Sequence, residues 1–205
     1  MVSLSFKTIT DITDSYLCDW LDLYETAFPP EERILISVFI RQLLNQRQEE
    51  IPPLNLIAAL DSEKRFIGLA CYQWQPEMNW FLLWYLAVMS KQRGLGWGSE
   101  ILQEIERHAR SKNCDGILFE VEIPESVTSP EMKILAERRI QFYKRNGAKM
   151  FSGIHYLQSV GPHQLLTPMH LMFYPLKESR PEDVFYKAKY LFGDLLTKTG
   201  SLALV

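Results

Sequence analysis

The 205-residue sequence has few cysteines and histidines and no long apolar run. Its three cysteines, Cys18, Cys71 and Cys114, form no Cys-x-x-Cys pair, which argues against a zinc site or a disulfide framework. Each has apolar neighbours, so we expect buried, inert thiols. The four histidines lack metal-ligand spacing, and no metal is expected. The longest apolar run, 80–89, is about half of a membrane span, and residues 1–7 lack the layout of a signal peptide. We therefore expect a cytoplasmic protein with no membrane partner.

The charge balance and the apolar content set two further limits. Lys and Arg together number 22 against 25 Asp and Glu, a net charge of −3. Broad nucleic-acid binding usually needs a basic face, so no nucleic-acid partner is expected. Hydrophobic residues make up 47% of the chain and aromatic residues 12%. This content can offset the chain entropy lost on folding, which excludes a disordered protein.

The hydrophobic periodicity predicts a mixed α/β fold, a central sheet flanked by helices. Strands are expected at 6–9, 55–61, 65–75, 79–88, 117–123, 150–158 and 169–176, and helices at 11–28, 31–45, 97–109, 132–146 and 180–198. The aromatic strand 79–88 is apolar throughout, which is typical of a strand buried on both faces. We expect one domain over residues 1–178 and a helical extension over 179–205. The last helix covers either its own sheet or a dimer interface, so a homodimer is left open.

A glycine-rich loop between a buried strand and a helix is the sharpest motif. It has the sequence Arg93-Gly94-Leu95-Gly96-Trp97-Gly98-Ser99. Such a turn presents backbone N–H groups to an anion at the positive end of the helix dipole. Glycine lets a phosphate approach the backbone without obstruction by a Cβ atom. The alternative is a tight turn that binds nothing, and the spacing alone leaves both open.

Two nucleotide motifs are excluded by the spacing of the same loop. A Walker loop needs Gly-Lys-Ser/Thr, whereas Gly98 is followed by Ser99 and Glu100. A dinucleotide fingerprint needs Gly-x-Gly-x-x-Gly, and its third glycine position is Ser99 or Ile101 here. A nucleotide-binding protein of another kind stays as a less favoured hypothesis.

The remaining pattern, Arg93-x-x-Gly96-x-Gly98 after Leu-Ala-Val, resembles the acyl-CoA signature of the GNAT superfamily of N-acetyltransferases. The order of expected elements is similar to that family from about residue 4 to 177. The resemblance implies a GNAT-type fold and acetyl-CoA as co-substrate. It also implies that the strand offers main-chain groups to pantetheine, while the loop lines the pyrophosphate. The implied strand residues are Leu86, Ala87 and Val88, and the loop residues are Arg93, Gly94, Leu95, Gly96, Trp97, Gly98 and Ser99.

A second block resembles the Tyr-x-x-x-Gly-Phe ending of a later helix of the family. Here it contains Tyr143 and Gly147, with Ala148 in place of the Phe. In many members this tyrosine protonates the departing CoA thiolate, so the resemblance implies Tyr143 as a general acid. The alternative is that Tyr143 only packs in the core. Many members also have Asn seven residues earlier, where this chain has Ala136.

Two carboxylates on the strand 117–123 are candidates for the base. Glu120 and Glu122 alternate with apolar residues and so share one strand face. Repulsion between two carboxylates makes it easier for one of them to accept a proton near neutral pH. Phe119-Glu120-Val121 resembles the Leu-Glu-Val of relatives that use this Glu as base, so Glu120 ranks first. A polar strand face without a catalytic role and a relaying water remain open.

The resemblance implies an N-acetyltransferase that moves an acetyl group from acetyl-CoA to a primary amine, by direct attack in a ternary complex. The acceptor, a small molecule or a peptide, is not specified. Glu31, Glu32 and Arg33 lie in the region that builds the acceptor pocket in the family. Acids at a helix start that stabilise the dipole are the favoured interpretation. The alternative function is a non-catalytic acyl-CoA-binding or regulatory module.

Overall fold

The computed structural model describes residues 4–45, 52–127, 129–159 and 166–205. They form the expected mixed α+β fold, around a sheet of eight strands, one more than the seven predicted. The elements are β1 Ser5–Ile9, α1 Leu17–Ala27, α2 Ile36–Leu43, β2 Leu54–Leu60, β3 Phe66–Gln75, β4 Trp80–Val88, α3 Trp97–Ser111, β5 Gly116–Glu122, α4 Pro130–Arg145, β6 Lys149–Ser159, β7 Leu166–Pro175, α5 Pro181–Phe192 and β8 Leu196–Leu204. The strand order is β1-β2-β3-β4-β5-β7-β6-β8. All neighbouring strands are antiparallel except β4 and β5, which are parallel. Within these residues no helix is both long and apolar enough to cross a membrane.

Helix α1 begins later than the periodicity predicts. The Asp11 carboxylate accepts from the Thr13 N–H at 2.8 Å, and the Asp14 carboxylate accepts from the Tyr16 N–H at 3.0 Å. Such local bonds compete with helix formation. The helix therefore starts at Leu17.

The burial pattern of α1 corrects one expectation about the cysteines. Leu17, Trp20 and Tyr24 face the core at helical spacing. Cys18, one position after Leu17, is rotated away from that face and is exposed. Cys71 and Cys114 are buried, as expected.

Strand β4 is buried on both faces, as expected, and contains an irregularity in its pairing with β3. Cys71 pairs with Tyr85 and Tyr72 pairs with Leu83, so Trp84 is one extra residue on β4. A bulge of this kind bends its strand and increases the local twist.

Beyond the bulge, β4 and β5 separate. Their parallel pairing runs only from Trp80 with Gly116 to Leu83 with Phe119. Residues 84–88 of β4 and 120–122 of β5 have no mutual pairing, although both segments keep their other neighbours. A gap therefore opens in the middle of the sheet, between the last residues of two adjacent strands.

The end of the chain differs from the predicted helical extension. Helix α5 ends at Phe192, where Gly193 adopts a φ of 55°. Residues 196–204 form β8, which pairs antiparallel with β6, and Leu196 is fully buried. The expectation of a helix reaching residue 198 is wrong, because these residues complete the same sheet. A domain boundary at residue 178 stays a prediction.

Candidate active site

Two clefts meet at the gap between β4 and β5. The wider one, about 810 Å³, lies between the glycine loop, the end of β4 and helix α4. The narrower one, about 50 Å³, lies between the two strands and the segment that joins α1 to α2. Phe28, Leu86 and Arg139 line both clefts. The two clefts therefore adjoin at these three side chains.

The glycine loop offers a run of backbone donors to the wide cleft. Gly94 and Gly96 have φ values of 83° and 88°, and Gly96 is the N-cap residue of α3. Within the described part of the chain, the N–H groups of residues 94–98 donate to no protein acceptor. Unpaired N–H groups at a helix N-terminus form an anion site.

The wide cleft contains nine of the ten residues that the sequence associated with acyl-CoA. They are Leu86, Ala87, Val88, Arg93, Gly94, Gly96, Trp97, Gly98 and Ser99. The side chain of Leu95 is 64% exposed and does not line this cleft. The N–H of Ser99 already donates to the Gly96 carbonyl at 2.9 Å. The free donors therefore end at residue 98.

Arg93 braces the loop against β4. Its Nε donates to the Val88 carbonyl at 3.1 Å. This bond uses one of the two lone pairs of the Val88 carbonyl, a residue that the family resemblance associates with pantetheine. The hydrogen bond joins Arg93, the first residue of the loop, to Val88, the last residue of β4.

Gly98 is required for packing as well as for access. A Cβ atom at this position would lie 3.3 Å from two ring carbons of Phe142 on α4. Contacts this short require the neighbouring ring to move. The absence of a side chain at Gly98 therefore lets α4 sit close to the loop.

Tyr143 lies in the narrow cleft, near the end of α4. Its ring centroid is 4.2 Å from that of Phe119 on β5, and burial raises the pKa of its hydroxyl to about 12. Gly147, with a φ of 97°, ends the helix as expected, and the Ala148 N–H donates to the Tyr143 carbonyl. A phenol with a raised pKa stays protonated near neutral pH and is available as a donor.

Glu120 lines the same narrow cleft as Tyr143. The Tyr156 hydroxyl donates to its Oε1 and the Gln158 amide to its Oε2. Burial raises the pKa of Glu120, and the two hydrogen bonds lower it by a smaller amount. A carboxylate with a raised pKa is a stronger base than an exposed one.

Glu122 does not form the expected carboxylate pair with Glu120. Its Oε2 forms an ion pair with Nη1 of Arg139 on α4. Glu122 is 6% exposed and lines the wide cleft, whereas Glu120 lines the narrow one. Burial, and not repulsion by Glu122, is the main cause of the raised pKa of Glu120.

The segment between α1 and α2 closes the narrow cleft. The expected helix start at residue 31 is a short 3-10 turn, Pro30–Glu32, and α2 begins at Ile36. The Tyr85 hydroxyl donates to the Glu32 carbonyl at 2.9 Å and accepts from the Ile34 N–H at 3.0 Å. These bonds fasten the segment to β4. The buried indole N–H of Trp84, also at this cleft, has no partner among the described residues.

Comparison with known families agrees with this geometry. The profile described as the acetyltransferase (GNAT) family matches residues 10–147, which is more than half of the chain. The chain belongs to the acetyltransferase (GNAT) family. The match covers β4, the glycine loop, Glu120 and Tyr143. No curated protein sequence matches the chain significantly.

Solved structures of GNAT proteins share the whole fold. A protein from Bacteroides thetaiotaomicron assigned to the GNAT family has a TM-score of 0.69 and 20% identity, over 92% of this chain and 98% of that one. The spermidine/spermine N-acetyltransferase SpeG from Vibrio cholerae has a TM-score of 0.59 and 12% identity, over 92% and 95%. Both alignments extend well beyond the residues of the family match. At these identities the similarity supports the fold and not the substrate.

Three residues of the candidate site were not predicted from the sequence. Tyr156 and Gln158 are two positions apart on β6 and therefore share a strand face, but their pairing with Glu120 depends on the strand order. Arg139 is four residues before Tyr143 and so lies on the same helix face, a spacing visible in the sequence. The ring of Phe192, at the end of α5, packs on Tyr156 with centroids 4.6 Å apart. The end of the chain thus supports the residues that hold Glu120.

Proposed function

We propose that the protein is an acetyl-CoA-dependent N-acetyltransferase that acts on a primary amine by direct attack. The observation that carries the proposal is the junction of the two clefts at the β4–β5 gap. The wide cleft has the free N–H groups of residues 94–98 for the pyrophosphate. The narrow cleft has Glu120 and Tyr143, which supply a base and an acid. An acetyl thioester that enters from one side would meet an amine from the other.

The proposed reaction proceeds in a ternary complex. The amine passes a proton to Glu120, directly or through water, and its lone pair forms a bond to the thioester carbonyl carbon. The C–S bond then breaks, and its electron pair leaves with the CoA sulfur, which takes the proton of the Tyr143 hydroxyl. Holding both reactants in line contributes on the order of 7–11 kcal/mol to the lowering of the barrier.

The first experiment measures CoA release from acetyl-CoA with a panel of amines: a polyamine, an aromatic monoamine, an amino acid and a peptide with a free N-terminus. We expect turnover with at least one of them. Binding of acetyl-CoA without turnover on any amine would contradict the proposal and favour the non-catalytic module. The panel also separates the acceptor classes, which the fold comparison does not.

The role of Tyr143 is tested with Tyr143→Phe. General acid catalysis typically contributes 10²–10⁴-fold, so we expect kcat to fall by about 10²-fold or more while the KM for acetyl-CoA changes little. Tyr72→Phe is the matched control, because Tyr72 is also buried but lies outside both clefts. Its hydroxyl forms a hydrogen bond with Nδ1 of His108 at 2.7 Å. An unchanged kcat for Tyr143→Phe would remove Tyr143 from the mechanism.

A further inference from the structure

Arg139 occupies a position that the proposed reaction has not yet used. It lies on α4, four residues (about one helical turn) before Tyr143, so the two side chains share a helix face. It also lines both clefts, and among the described residues that line the narrow cleft it is the only cation. Its positive charge is therefore placed where the thioester would lie in the proposed ternary complex.

The guanidinium of Arg139 is held in place by Glu122. The ion pair joins α4 to the end of β5, just beyond the point where β5 leaves β4. Only 8% of the Glu122 side chain and 31% of the Arg139 side chain are exposed. A partly buried, charge-assisted hydrogen bond is stronger and less mobile than one at the surface. Glu122, which lines the wide cleft, therefore anchors a cation that lines both clefts.

A fixed cation near Tyr143 matters because of the charge that the acid step creates. When the Tyr143 proton moves to the CoA sulfur, a phenolate remains in a buried site. Burial raises the pKa of Tyr143, and the charge of Arg139 acts in the opposite direction, whereas Glu122 raises it further. The other titratable groups around the narrow cleft are Glu32, Tyr85 and Glu120. Arg139 is thus the group that offsets the cost of the phenolate.

We propose that Arg139 is a positioning residue for the acid step: fixed on Glu122, its charge stabilises the phenolate that Tyr143 becomes when the proton moves to sulfur. The proposal rests on the proposed function, since it requires Tyr143 to donate a proton. Solvent then returns a proton to the phenolate, which restores the enzyme. Arg139 acts through Tyr143 and forms no bond to the substrate in this scheme.

The kinetic test is a double-mutant cycle in the full-length protein, with acetyl-CoA and the amine of the panel that reacts fastest. We expect Arg139→Gln to lower kcat at least tenfold with a smaller change in the KM for acetyl-CoA, and Arg139→Lys to recover most of the loss. In a Tyr143→Phe background the same Arg139→Gln change should lower kcat less than twofold. A loss equal to that in the wild-type background would overturn the proposal, because Arg139 would then act independently of Tyr143.

A second variant separates catalysis from the effect of an unpaired carboxylate. Arg139→Gln leaves Glu122 buried without its partner, which is destabilising in itself. The double variant Glu122→Gln/Arg139→Gln removes both charges, and we expect it to keep the low kcat of Arg139→Gln. If the double variant instead regains wild-type kcat, the defect came from Glu122 and the proposal is wrong.

A third measurement does not depend on turnover. In protein with ¹³Cζ-labelled tyrosine, the NMR signal of Tyr143 is assigned by its loss in Tyr143→Phe and followed from pH 8 to about 11. We expect its ionisation shift to begin at a lower pH in the wild-type protein than in Arg139→Gln. Identical titrations would refute the role of Arg139 even if no amine had reacted, whereas an inactive protein with the expected titration difference would refute only the proposed function.

Discussion

The hydrogen bond from Tyr156 to Glu120 makes the proposed base testable through pH. Glu120 has two side-chain donors from β6, the Tyr156 hydroxyl at Oε1 and the Gln158 amide at Oε2. Both bonds stabilise the ionised carboxylate and lower its pKa, against the larger effect of burial, which raises it. Replacing Tyr156 by Phe removes one bond and retains the aromatic ring that packs on Phe192.

The expected shift follows from the strength of that bond. A hydrogen bond to a charged group is worth about 1.5–3 kcal/mol, and one pKa unit corresponds to about 1.4 kcal/mol. Tyr156→Phe should therefore raise the pKa of Glu120 further, and at a fixed pH on the acid side of the profile it should lower the ionised fraction by about 10- to 100-fold. A base works only when it is deprotonated, so activity is lost as the pH falls through its pKa. The acid limb of the profile of kcat/KM against pH should therefore move to higher pH.

The measurement is kcat/KM for the amine from pH 5 to 9 at saturating acetyl-CoA. Tyr174→Phe is the matched control, because Tyr174 donates to the Glu106 carboxylate at 2.9 Å outside both clefts. The control should leave the limb in place. If the limb of Tyr156→Phe stays with that of the wild type, or moves to lower pH, Glu120 is not the group that sets it.

Three other changes give measurable outcomes. Gly96→Ala puts a side chain at a φ of 88°, which strains the backbone by about 1–2 kcal/mol although no atom lies within 4 Å of the added Cβ. This strain should displace the loop N–H groups and weaken CoA binding about tenfold, as measured by calorimetry. The control Gly200→Ala should leave CoA binding unchanged. CoA at 100 times its Kd should stabilise the protein by about 2.7 kcal/mol and raise Tm by about 5–11 °C in thermal unfolding. An equal rise in Tm with ATP would instead favour a general nucleotide site. Leu196→Ala, at a fully buried position of β8, should lower the free energy of unfolding in urea by about 2–5 kcal/mol. The control is Leu202→Ala, at a partly exposed position of the same strand. An equal or smaller loss for Leu196→Ala than for Leu202→Ala would show that β8 adds little to the core.

Much of the fold was predictable because local patterns determine it. The apolar stripe of α3, with Ile101, Leu102, Ile105 and Ala109 inward, is buried as expected, and β4 is buried on both faces. The end of the chain was not predictable in the same way. Residues 184–195 continue an apolar stripe that favours a helix, but Gly193 ends it and β6 offers an edge for pairing. Pairing with a distant strand overrides local periodicity, and a single sequence does not display it.

The candidate site likewise combines residues that are close in the sequence with residues that only the fold brings together. The glycine loop is contiguous, so its resemblance to the GNAT signature was visible in the sequence, and nine of the ten residues that this resemblance implied line the wide cleft. The partners of Glu120 and Glu122 come from β6 and α4, and only the strand order and the helix docking bring them together. The sequence therefore suggested a pair of interacting carboxylates, whereas Glu120 accepts from Tyr156 and Gln158, and Glu122 pairs with Arg139. Charges on neighbouring strand positions can be separated by what packs against them.

The extra residue at Trp84 has a consequence for the way β4 presents its side chains. In a regular strand, residues 81, 83, 85 and 87 would face one side of the sheet. Here Phe81 and Leu83 pack with the cluster beneath α3, but Tyr85 and Ala87 pack with α1 and α2 on the opposite side. The bulge thus reverses the alternation in mid-strand, so every residue of β4 after Trp84 faces the opposite side of the sheet from the one that a regular strand would give it. Deleting Trp84 would make the pairing with β3 continuous and keep Leu83 and Tyr85 on opposite faces, whereas a regular strand that retained Trp84 would turn Tyr85 and Ala87 to the side of α3.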